Sequence, residues 1–274
     1  MNPDQFLAAL TGSNEVLLMG VVNVTPDSFS DGGRYYELDI AVAHALRLVQ
    51  EGADIVDVGG ESTRPGALPV GLEEELRRVV PVVRDLAAAG VAVSIDTRHA
   101  LVAAAAVAAG ACLVNDVSGL RDPDMRAVAA RHGVPAVAMH MPVDDPETMQ
   151  HHTDYVDVVD DVVAFLREHA ALALAEGVPT VIIDPGIGFG KTVEQNLALV
   201  RRLNELVALG HPVLVGASRK RFIGVLTGVE QPEDRVAGTL AVHLAAAQQG
   251  VRLIRAHDVA AHRQALTMWR HVGG

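Results

Sequence analysis

The stretch Leu86-Ala87-Ala88-Ala89-Gly90-Val91-Ala92-Val93-Ser94-Ile95-Asp96 contains a helical run that ends at a glycine, then a short apolar run that ends at a carboxylate. Gly90 suits the left-handed residue that commonly follows a helix. A short run of Val and Ile bounded in this way is typical of a buried strand. The stretch therefore predicts a helix, a turn and a strand over 91–95, with Asp96 just beyond the strand.

The same unit of helix, glycine and strand recurs along the whole chain. Its glycines are Gly52, Gly90, Gly110, Gly133, Gly177, Gly210 and Gly250. The predicted strands are 16–22, 54–58, 91–95, 111–114, 134–139, 180–183, 212–215 and 251–254. Eight strands, each followed by a helical stretch, are the number that closes a barrel. The sequence therefore predicts an α/β fold, a single (β/α)8 TIM barrel domain over residues 1–274.

Two other architectures are compatible with the length of 274 residues. Two modest domains are possible, but no long linker or low-complexity segment separates the units. An open doubly wound sheet is also possible, although the first strand-to-helix turn lacks the G-x-G-x-x-G fingerprint of dinucleotide binders. Hydrophobic residues make up 50% and aromatic residues 3%, so Val, Leu, Ile and Ala must fill the core, as in parallel sheets and their covering helices.

The composition also excludes several classes of partner. A formal net charge of −12 disfavours nucleic acid and anionic membrane, because both need clustered Lys and Arg. The longest uncharged run, 101–114, is shorter than the roughly 18 residues of a membrane span. The single cysteine, Cys112, excludes an internal disulfide, and the first residues do not resemble a signal peptide. We therefore expect a cytoplasmic protein whose partners are small molecules.

Polar residues follow each predicted strand, at the end of a barrel where active sites are built. These segments are 23–33, 59–66, Asp96, 115–116, His140, 184–191, 216–220 and 255–258. Any one of them has a plain structural explanation, such as a turn or a helix cap. All eight together predict a site at this end of the barrel.

The chemistry of these residues suggests two subsites. Asp96, Asn115 and Asp184 can pair with the edge of a flat nitrogen heterocycle. The second subsite contains cations and hydroxyls that suit an anion such as diphosphate, and its residues are Arg64, Arg255, His257, Ser62 and Thr63. The segment Gly188-Phe189-Gly190-Lys191 lacks the full spacing of a phosphate loop, and we expect Lys191 to face solvent.

Two motifs carry a resemblance to a known family. They are Asn23-Val24-Thr25-Pro26-Asp27-Ser28-Phe29-Ser30-Asp31-Gly32-Gly33 and Gly60-Glu61-Ser62-Thr63-Arg64-Pro65-Gly66. Ser94-Ile95-Asp96-Thr97, the segment 184–191 and Ser218-Arg219-Lys220 follow in the expected order. Over nearly its whole length the chain resembles the dihydropteroate synthases, the pterin-binding transferases of folate biosynthesis.

This resemblance implies a reaction and a set of residue roles. The amine of 4-aminobenzoate attacks the methylene of 6-hydroxymethyl-7,8-dihydropterin diphosphate, and diphosphate and 7,8-dihydropteroate are formed with the help of Mg2+. The implied catalytic residues are Asp96, Lys220, Asp31 and Arg64. The implied pterin ligands are Asp96, Asn115, Met139, Asp184 and Lys220. The implied diphosphate ligands are Asn23, Ser62, Thr63, Arg255 and His257, with Mg2+ at Asn23.

The resemblance also places the second substrate. The implied 4-aminobenzoate contacts are Phe29, Arg64, Pro65, Phe189 and Ser218, and the carboxylate is directed at Ser218. Sulfonamides, which mimic this ring, are expected to inhibit, and the family resemblance implies a homodimer. Two alternatives stay open. One is a methyltetrahydrofolate-dependent methyltransferase, which has no diphosphate to expel, and the other is a paralogue that binds pterin without catalysis.

Overall fold

The structure is a computed structural model, and it describes residues 2–13, 15–24, 34–61, 70–143, 148–149 and 152–273. Six of the predicted site residues lie outside these ranges. They are Phe29, Asp31, Ser62, Thr63, Arg64 and Pro65.

All eight predicted strands are present, and helices alternate with them. The strands are β1 (Leu17–Asn23), β2 (Ile55–Gly59), β3 (Val93–Asp96), β4 (Leu113–Asp116), β5 (Ala136–Met139), β6 (Val181–Asp184), β7 (Leu214–Val215) and β8 (Leu253–Ala256). The helices are α1 (Pro3–Gly12), α2 (Arg34–Gln50), α3 (Leu72–Ala88), α4 (Ala100–Ala108), α5 (Pro123–His132), α6 (Val158–Ala175), α7 (Val193–Arg201), α8 (Leu203–Val207), α9 (Arg221–Thr227), α10 (Val236–Gln248) and α11 (Val259–His271). A capping box of Thr192 and Gln195 begins α7.

The strands form one parallel sheet in the order β6-β5-β4-β3-β2-β1-β8-β7. Its two ends meet through a parallel bridge between Ile183 and Val213, so the barrel is nearly closed. The predicted (β/α)8 barrel is therefore confirmed, and an open doubly wound sheet is excluded. β7 is shorter than predicted, because Pro212 has no N–H to give to the ladder and contributes only its carbonyl oxygen, which accepts from the Ile183 N–H at 2.9 Å.

An apolar layer fills the amino-terminal half of the barrel interior. Seven strands and the residues just before β3 and β4 give it side chains, and the buried members on this part of the chain are Leu17, Met19, Ile55, Ala92, Cys112, Leu113, Val137, Ile182, Leu214 and Leu253. Phe6 and Leu10 of α1 belong to the same cluster, so this helix closes the bottom of the barrel. The sequence did not predict α1, since it precedes the first repeating unit.

A polar layer lies above this apolar layer. Side chains alternate between the two faces of a strand, so every second residue points into the barrel. Two residues beyond an inward apolar side chain, the next inward position holds a polar group in most strands. The series is Ile55 to Asp57, Ala92 to Ser94 and Asp96, Leu113 to Asn115, Ile182 to Asp184, and Leu253 to Arg255. Strand pairing sets Asp57 beside Ser94, and Asp96 beside Asn115. The functional groups therefore point into the barrel at its carboxyl end.

Within the described ranges, every helix is too short or too polar to cross a lipid bilayer.

Candidate active site

A cleft of about 1000 Å³ opens at the carboxyl end of the barrel. Seven of the predicted site residues line it together: Asn23, Asp96, Phe189, Ser218, Lys220, Arg255 and His257. The predicted residues Asn115, Met139 and Asp184 are buried beside it, each less than a tenth exposed. Residues from several different strands and their loops thus meet in one cavity, as expected for a site in this fold.

The floor of the cleft is a partly buried ion-pair network around the Arg255 guanidinium. Its Nε donates to Asp57 Oδ2 at 2.6 Å, and its Nη2 donates to Asp96 Oδ2 at 2.7 Å. Asn115 Nδ2 donates to the same oxygen of Asp57 at 2.9 Å. The other oxygen of Asp57 is buried and has no hydrogen-bond partner among the described residues. The network therefore combines carboxylates, an amide and a cation that a polar heterocycle can pair with.

Burial and the neighbouring charges shift the pKa values of Asp96 and Arg255 in this network. The loss of solvent raises the pKa of Asp96 to about 7, because the charge of Arg255 only partly offsets it and the neighbouring Asp57 raises it further. Burial would lower the pKa of Arg255, but Asp57 and Asp96 raise it above its usual value. Arg255 therefore stays cationic, while Asp96 can carry or release a proton near neutral pH. A carboxyl group perturbed in this way within a cleft is a common sign of a functional site.

The loop after β6 is organised by Lys191, and the prediction that this side chain faces solvent is wrong. Lys191 is 6% exposed, and its Nζ donates to the carbonyl oxygens of Gly186 at 3.0 Å and Phe189 at 2.9 Å. A third contact joins Nζ to His140 Nδ1 at 3.1 Å. These acceptors match the three N–H groups of an ammonium, which compensates for the loss of water. Burial lowers the pKa of Lys191 to about 7.

The contact with Lys191 fixes the tautomer of His140. When Lys191 is protonated, its ammonium has no acceptor, so His140 Nδ1 then accepts and the proton of the neutral ring sits on Nε2. Burial, followed by the charge of Lys191, lowers the pKa of His140 to about 2, so the ring stays neutral. His140 and Lys191 therefore join the loops that follow β5 and β6.

Asp184 and Phe189 are held by this same loop. Asp184 Oδ1 accepts from the Gly186 N–H at 2.7 Å, and burial raises the pKa of Asp184 to about 6. Phe189 packs in a buried cluster with Met139, Met141 and Met149. Lys220 Nζ lies 4.0 Å from the centre of the Phe189 ring, within the range of a cation–π contact. A flat apolar wall and a cation are thus brought together at one side of the cleft.

Gly186 is a position where only glycine fits. Its φ is 64°, and an added Cβ would overlap the carbonyl oxygen of His140. We expect Gly186→Ala to lower the free energy of unfolding by at least about 3 kcal/mol, because left-handed strain and overlap add together. Gly133→Ala is the matched control, since Gly133 has the same φ of 64° and open space around it. Denaturant unfolding should give a loss of only about 1 kcal/mol for the control, and equal losses for both variants would contradict the overlap.

The loop after β7 and the loop after β8 are tied together at the opposite side. The His257 backbone N–H donates to Ser218 Oγ at 3.1 Å, and His257 Nδ1 lies 3.0 Å from the same oxygen. Arg219 forms an ion pair with Asp258, with Nη2 at 2.6 Å and Nε at 3.1 Å from its carboxylate oxygens. Ser218 and His257, which were predicted for different substrates, are therefore direct neighbours.

Oxygen donors that suit Mg2+ are present in the cleft. The Asn23 side chain lines it with those of Glu61 and Asp96, and amide and carboxylate oxygens are the ligands that Mg2+ prefers. A second group, which shares Glu61 with the cleft, consists of Glu61, Glu75 and His99, whose ligand atoms lie within 4.8 Å of one another. Its members already have partners, because His99 Nδ1 lies 2.7 Å from Glu75 and Arg98 Nε lies 3.4 Å from Glu61. That group is held by ion pairs, although one oxygen of Glu75 is buried without a hydrogen-bond partner among the described residues. The Asn23 amide offers the cleft an oxygen of the kind that suits Mg2+.

The sequence did not identify Asp57 as a site residue. The sequence feature that indicates Asp57 is a carboxylate inside an otherwise apolar strand, two residues before the glycine that ends β2. Cross-strand register would have placed it beside the inward residues of β3.

Comparison with known proteins gives a consistent result. A family profile described as pterin-binding enzyme matches residues 19–257. The dihydropteroate synthase of Mycobacterium leprae is 49% identical over 94% of this chain and 95% of its own. A probable bifunctional folylpolyglutamate synthase/dihydropteroate synthase of Haloferax volcanii is 48% identical over 88% of this chain, which spans only 29% of that relative.

Solved structures agree with the sequence comparison. The dihydropteroate synthase of Thermus thermophilus in complex with 4-aminobenzoate is 56% identical, with a TM-score of 0.86 over 94% of this chain and 95% of that one. The same enzyme has been crystallised in complex with 6HMPPP. The barrel, the cleft and these similarities together show that the chain belongs to the pterin-binding enzymes, and within them to the dihydropteroate synthases.

Proposed function

We propose that residues 1–274 form one pterin-binding domain that condenses 6-hydroxymethyl-7,8-dihydropterin diphosphate with 4-aminobenzoate. A C–N bond forms at the pterin methylene, the C–O bond to diphosphate breaks, and the amine nitrogen loses a proton. The observation that carries this proposal is the network of Asp57, Asp96, Asn115 and Arg255 beneath the cleft. It offers acceptors, a donor and a cation to one flat ligand.

The pterin is proposed to bind against Asp96, Asn115 and Asp184, with Met139 and Lys220 beside its ring. A site built from buried hydrogen-bonding groups discriminates strongly against ligands that leave those groups unpaired. The raised pKa of Asp96 and that of Asp184 both arise mainly from burial, which also strengthens each bond to a ligand. As a carboxylate, Asp96 stabilises positive charge that develops on the pterin when the C–O bond breaks.

The diphosphate is proposed to bind at Asn23, Arg255 and His257, with Ser62 and Thr63 from the segment outside the described residues. Arg255 uses two of its five N–H groups on Asp57 and Asp96, so the same guanidinium can bridge the pterin floor and the anion. Mg2+, held by the Asn23 amide together with the diphosphate, would neutralise the leaving group. His257 is oriented for this role by its contact with Ser218.

The 4-aminobenzoate ring is proposed to lie on Phe189, with Ser218 near its carboxylate. Phe29, Arg64 and Pro65 are proposed to complete this subsite, and Asp31 and Arg64 to close over it. The complex of the Thermus thermophilus enzyme with 4-aminobenzoate supports this substrate. A covered site excludes water that would otherwise capture the pterin cation.

The direct test is to incubate the protein with both substrates and Mg2+, and to follow 7,8-dihydropteroate and diphosphate together. We expect equal amounts of both products, and neither product after the metal has been removed with a chelator. Binding of the pterin without turnover would support the non-catalytic paralogue. Methyl transfer from methyltetrahydrofolate to a corrinoid protein would support the methyltransferase.

We also propose that the protein is a homodimer and that it is cytoplasmic. Both proposals rest on the sequence and its resemblance to the family. Light scattering on the purified protein would test the first, with twice the mass of the chain as the expected result. Fractionation of the source cells would test the second.

A further inference from the structure

Two buried histidines of α10 and α11 form a hydrogen-bond chain that the proposed mechanism does not use. His243 Nε2 accepts from the backbone N–H of Ala217 at 3.0 Å. His243 Nδ1 lies 2.8 Å from His262 Nε2, and His262 Nδ1 lies 2.7 Å from the carbonyl oxygen of Asp258. Each ring is 1% exposed. The chain thus runs from the loop after β7 to the loop after β8.

The two ends of the chain fix the direction of every bond in it. The Ala217 N–H can only donate, so His243 Nε2 must be unprotonated and its ring proton must sit on Nδ1. That proton is donated to His262 Nε2, and the proton of His262 must then sit on Nδ1 and point at the carbonyl of Asp258. Both rings are neutral in this arrangement, in agreement with burial, which lowers the pKa of both.

The segment anchored by His243 is a strained turn that carries two proposed substrate ligands. The Lys220 N–H donates to the Ala217 carbonyl at 3.2 Å, and the turn between them has Arg219 at a φ of 61°. A left-handed residue other than glycine, Asn or Asp is unfavourable and persists only when its surroundings hold it. Ser218 and Lys220 flank this residue, so their placement depends on those surroundings.

Three further contacts hold Arg219 in this turn. Thr239, one helical turn before His243 in α10, accepts from the Arg219 N–H at 3.2 Å. Arg235 Nη1 donates to the Arg219 carbonyl at 2.9 Å, and the Arg219 guanidinium binds Asp258. Because Asp258 also accepts from His262, these bonds form a closed ring that joins the two loops.

We infer that His243 and His262 are positioning residues for the 4-aminobenzoate subsite: they hold the turn of Ser218 in the geometry that binds the carboxylate by joining it to the loop after β8. This inference rests on the proposed function, since it assigns an indirect role within the same site. Neither ring lines the cleft, so both act through the loops that they join.

Substitution of His243 tests the inference through the separation of KM from kcat. His243→Leu keeps the bulk but leaves the Ala217 N–H without an acceptor, and we expect KM for 4-aminobenzoate to rise about tenfold. The kcat at saturating 4-aminobenzoate should change less than KM. His243→Gln can place an amide oxygen near the position of Nε2 and should restore most of the affinity. His243→Asn, whose amide is too short to reach Ala217, should not.

Leu266→Ala is the control for a general loss of stability. Leu266 is 2% exposed in α11, the helix of His262, and belongs to the apolar core. This variant should unfold at a lower temperature with an unchanged KM for 4-aminobenzoate. If His243→Leu and Leu266→Ala alter KM equally, or if Gln and Asn at position 243 behave alike, the positioning role is overturned.

A spectroscopic measurement on the wild-type protein keeps the inference testable if His243→Leu does not fold. Nitrogen-15 NMR of labelled histidines distinguishes the tautomers, and both rings should carry the proton on Nδ1 at neutral pH. Observation of the Nε2 tautomer, or of a charged ring, at His243 or His262 would overturn the chain. A wild-type protein that forms no dihydropteroate would instead overturn the proposed function, and the tautomers would still decide whether the chain exists.

Discussion

Asp96→Asn is expected to lower kcat/KM for the pterin substrate on the order of 100-fold or more, because truncation of a buried charged partner commonly costs about 2–5 kcal/mol. Asp96 lies in the cleft, 2.7 Å from Arg255, and the amide keeps its size but removes its negative charge. Steady-state kinetics of dihydropteroate formation would measure the loss. Asp85→Asn is the control, because Asp85 is exposed on α3, and it should leave kcat/KM unchanged.

The stability of the Asp96→Asn variant relative to the wild type should increase as the pH rises from acidic to alkaline. The pKa of Asp96 is raised in the folded state from 3.8 to about 7, so its stabilising contribution is fully present below pH 3.8 and is lost as the pH rises to about 7. Asn does not titrate. The free energy of unfolding of the wild type should therefore fall relative to that of Asp96→Asn as the pH rises through this interval. Thermal unfolding at about pH 5 and about pH 8 would measure it. A variant that keeps its activity, or a difference in stability that does not depend on pH, would contradict the assignment of Asp96.

The fold was predictable because the pattern that specifies it is local and repeated. Each glycine ends a helix, and each Val- and Ile-rich run begins a strand, so the order of elements follows without knowledge of distant contacts. Asp96, Asn115 and Asp184 were found by the same logic, since each ends a strand and the strands meet at one end of the barrel.

Residues whose role depends on distant partners were not predictable. Lys191 was expected to face solvent because an isolated lysine after a glycine usually does, and its acceptor on His140 belongs to another strand. His243 and His262 lie on different helices, so their hydrogen bond is visible only in the folded barrel. Asp57 was hidden inside a strand, where its pairing with Arg255 requires the closure of the barrel across nearly the whole chain.

The chain contains only two lysines, Lys191 and Lys220, and both line the cleft. We expect different losses when each is replaced by methionine, of stability for Lys191 and of activity for Lys220. Lys191→Met removes the donor to the carbonyls of Gly186 and Phe189 and should lower the free energy of unfolding by about 3 kcal/mol, because buried acceptors lose a charged partner. Lys220→Met should keep the fold but lower kcat/KM on the order of 100-fold, because it removes a cation from the proposed pterin subsite.

The presence of only two lysines also allows their charges to be observed directly. Carbon-13 labelling at the lysine Cε gives two signals, which the two methionine variants assign. The signal of Lys191 should titrate near pH 7, because burial lowers its pKa from 10.5 to about 7. In the unfolded chain Lys191 holds its proton up to pH 10.5, so its contribution to stability should rise as the pH increases from about 7 to 10.5. If Lys191→Met unfolded at the wild-type temperature while Lys220→Met did not, the roles given to the two side chains would be reversed.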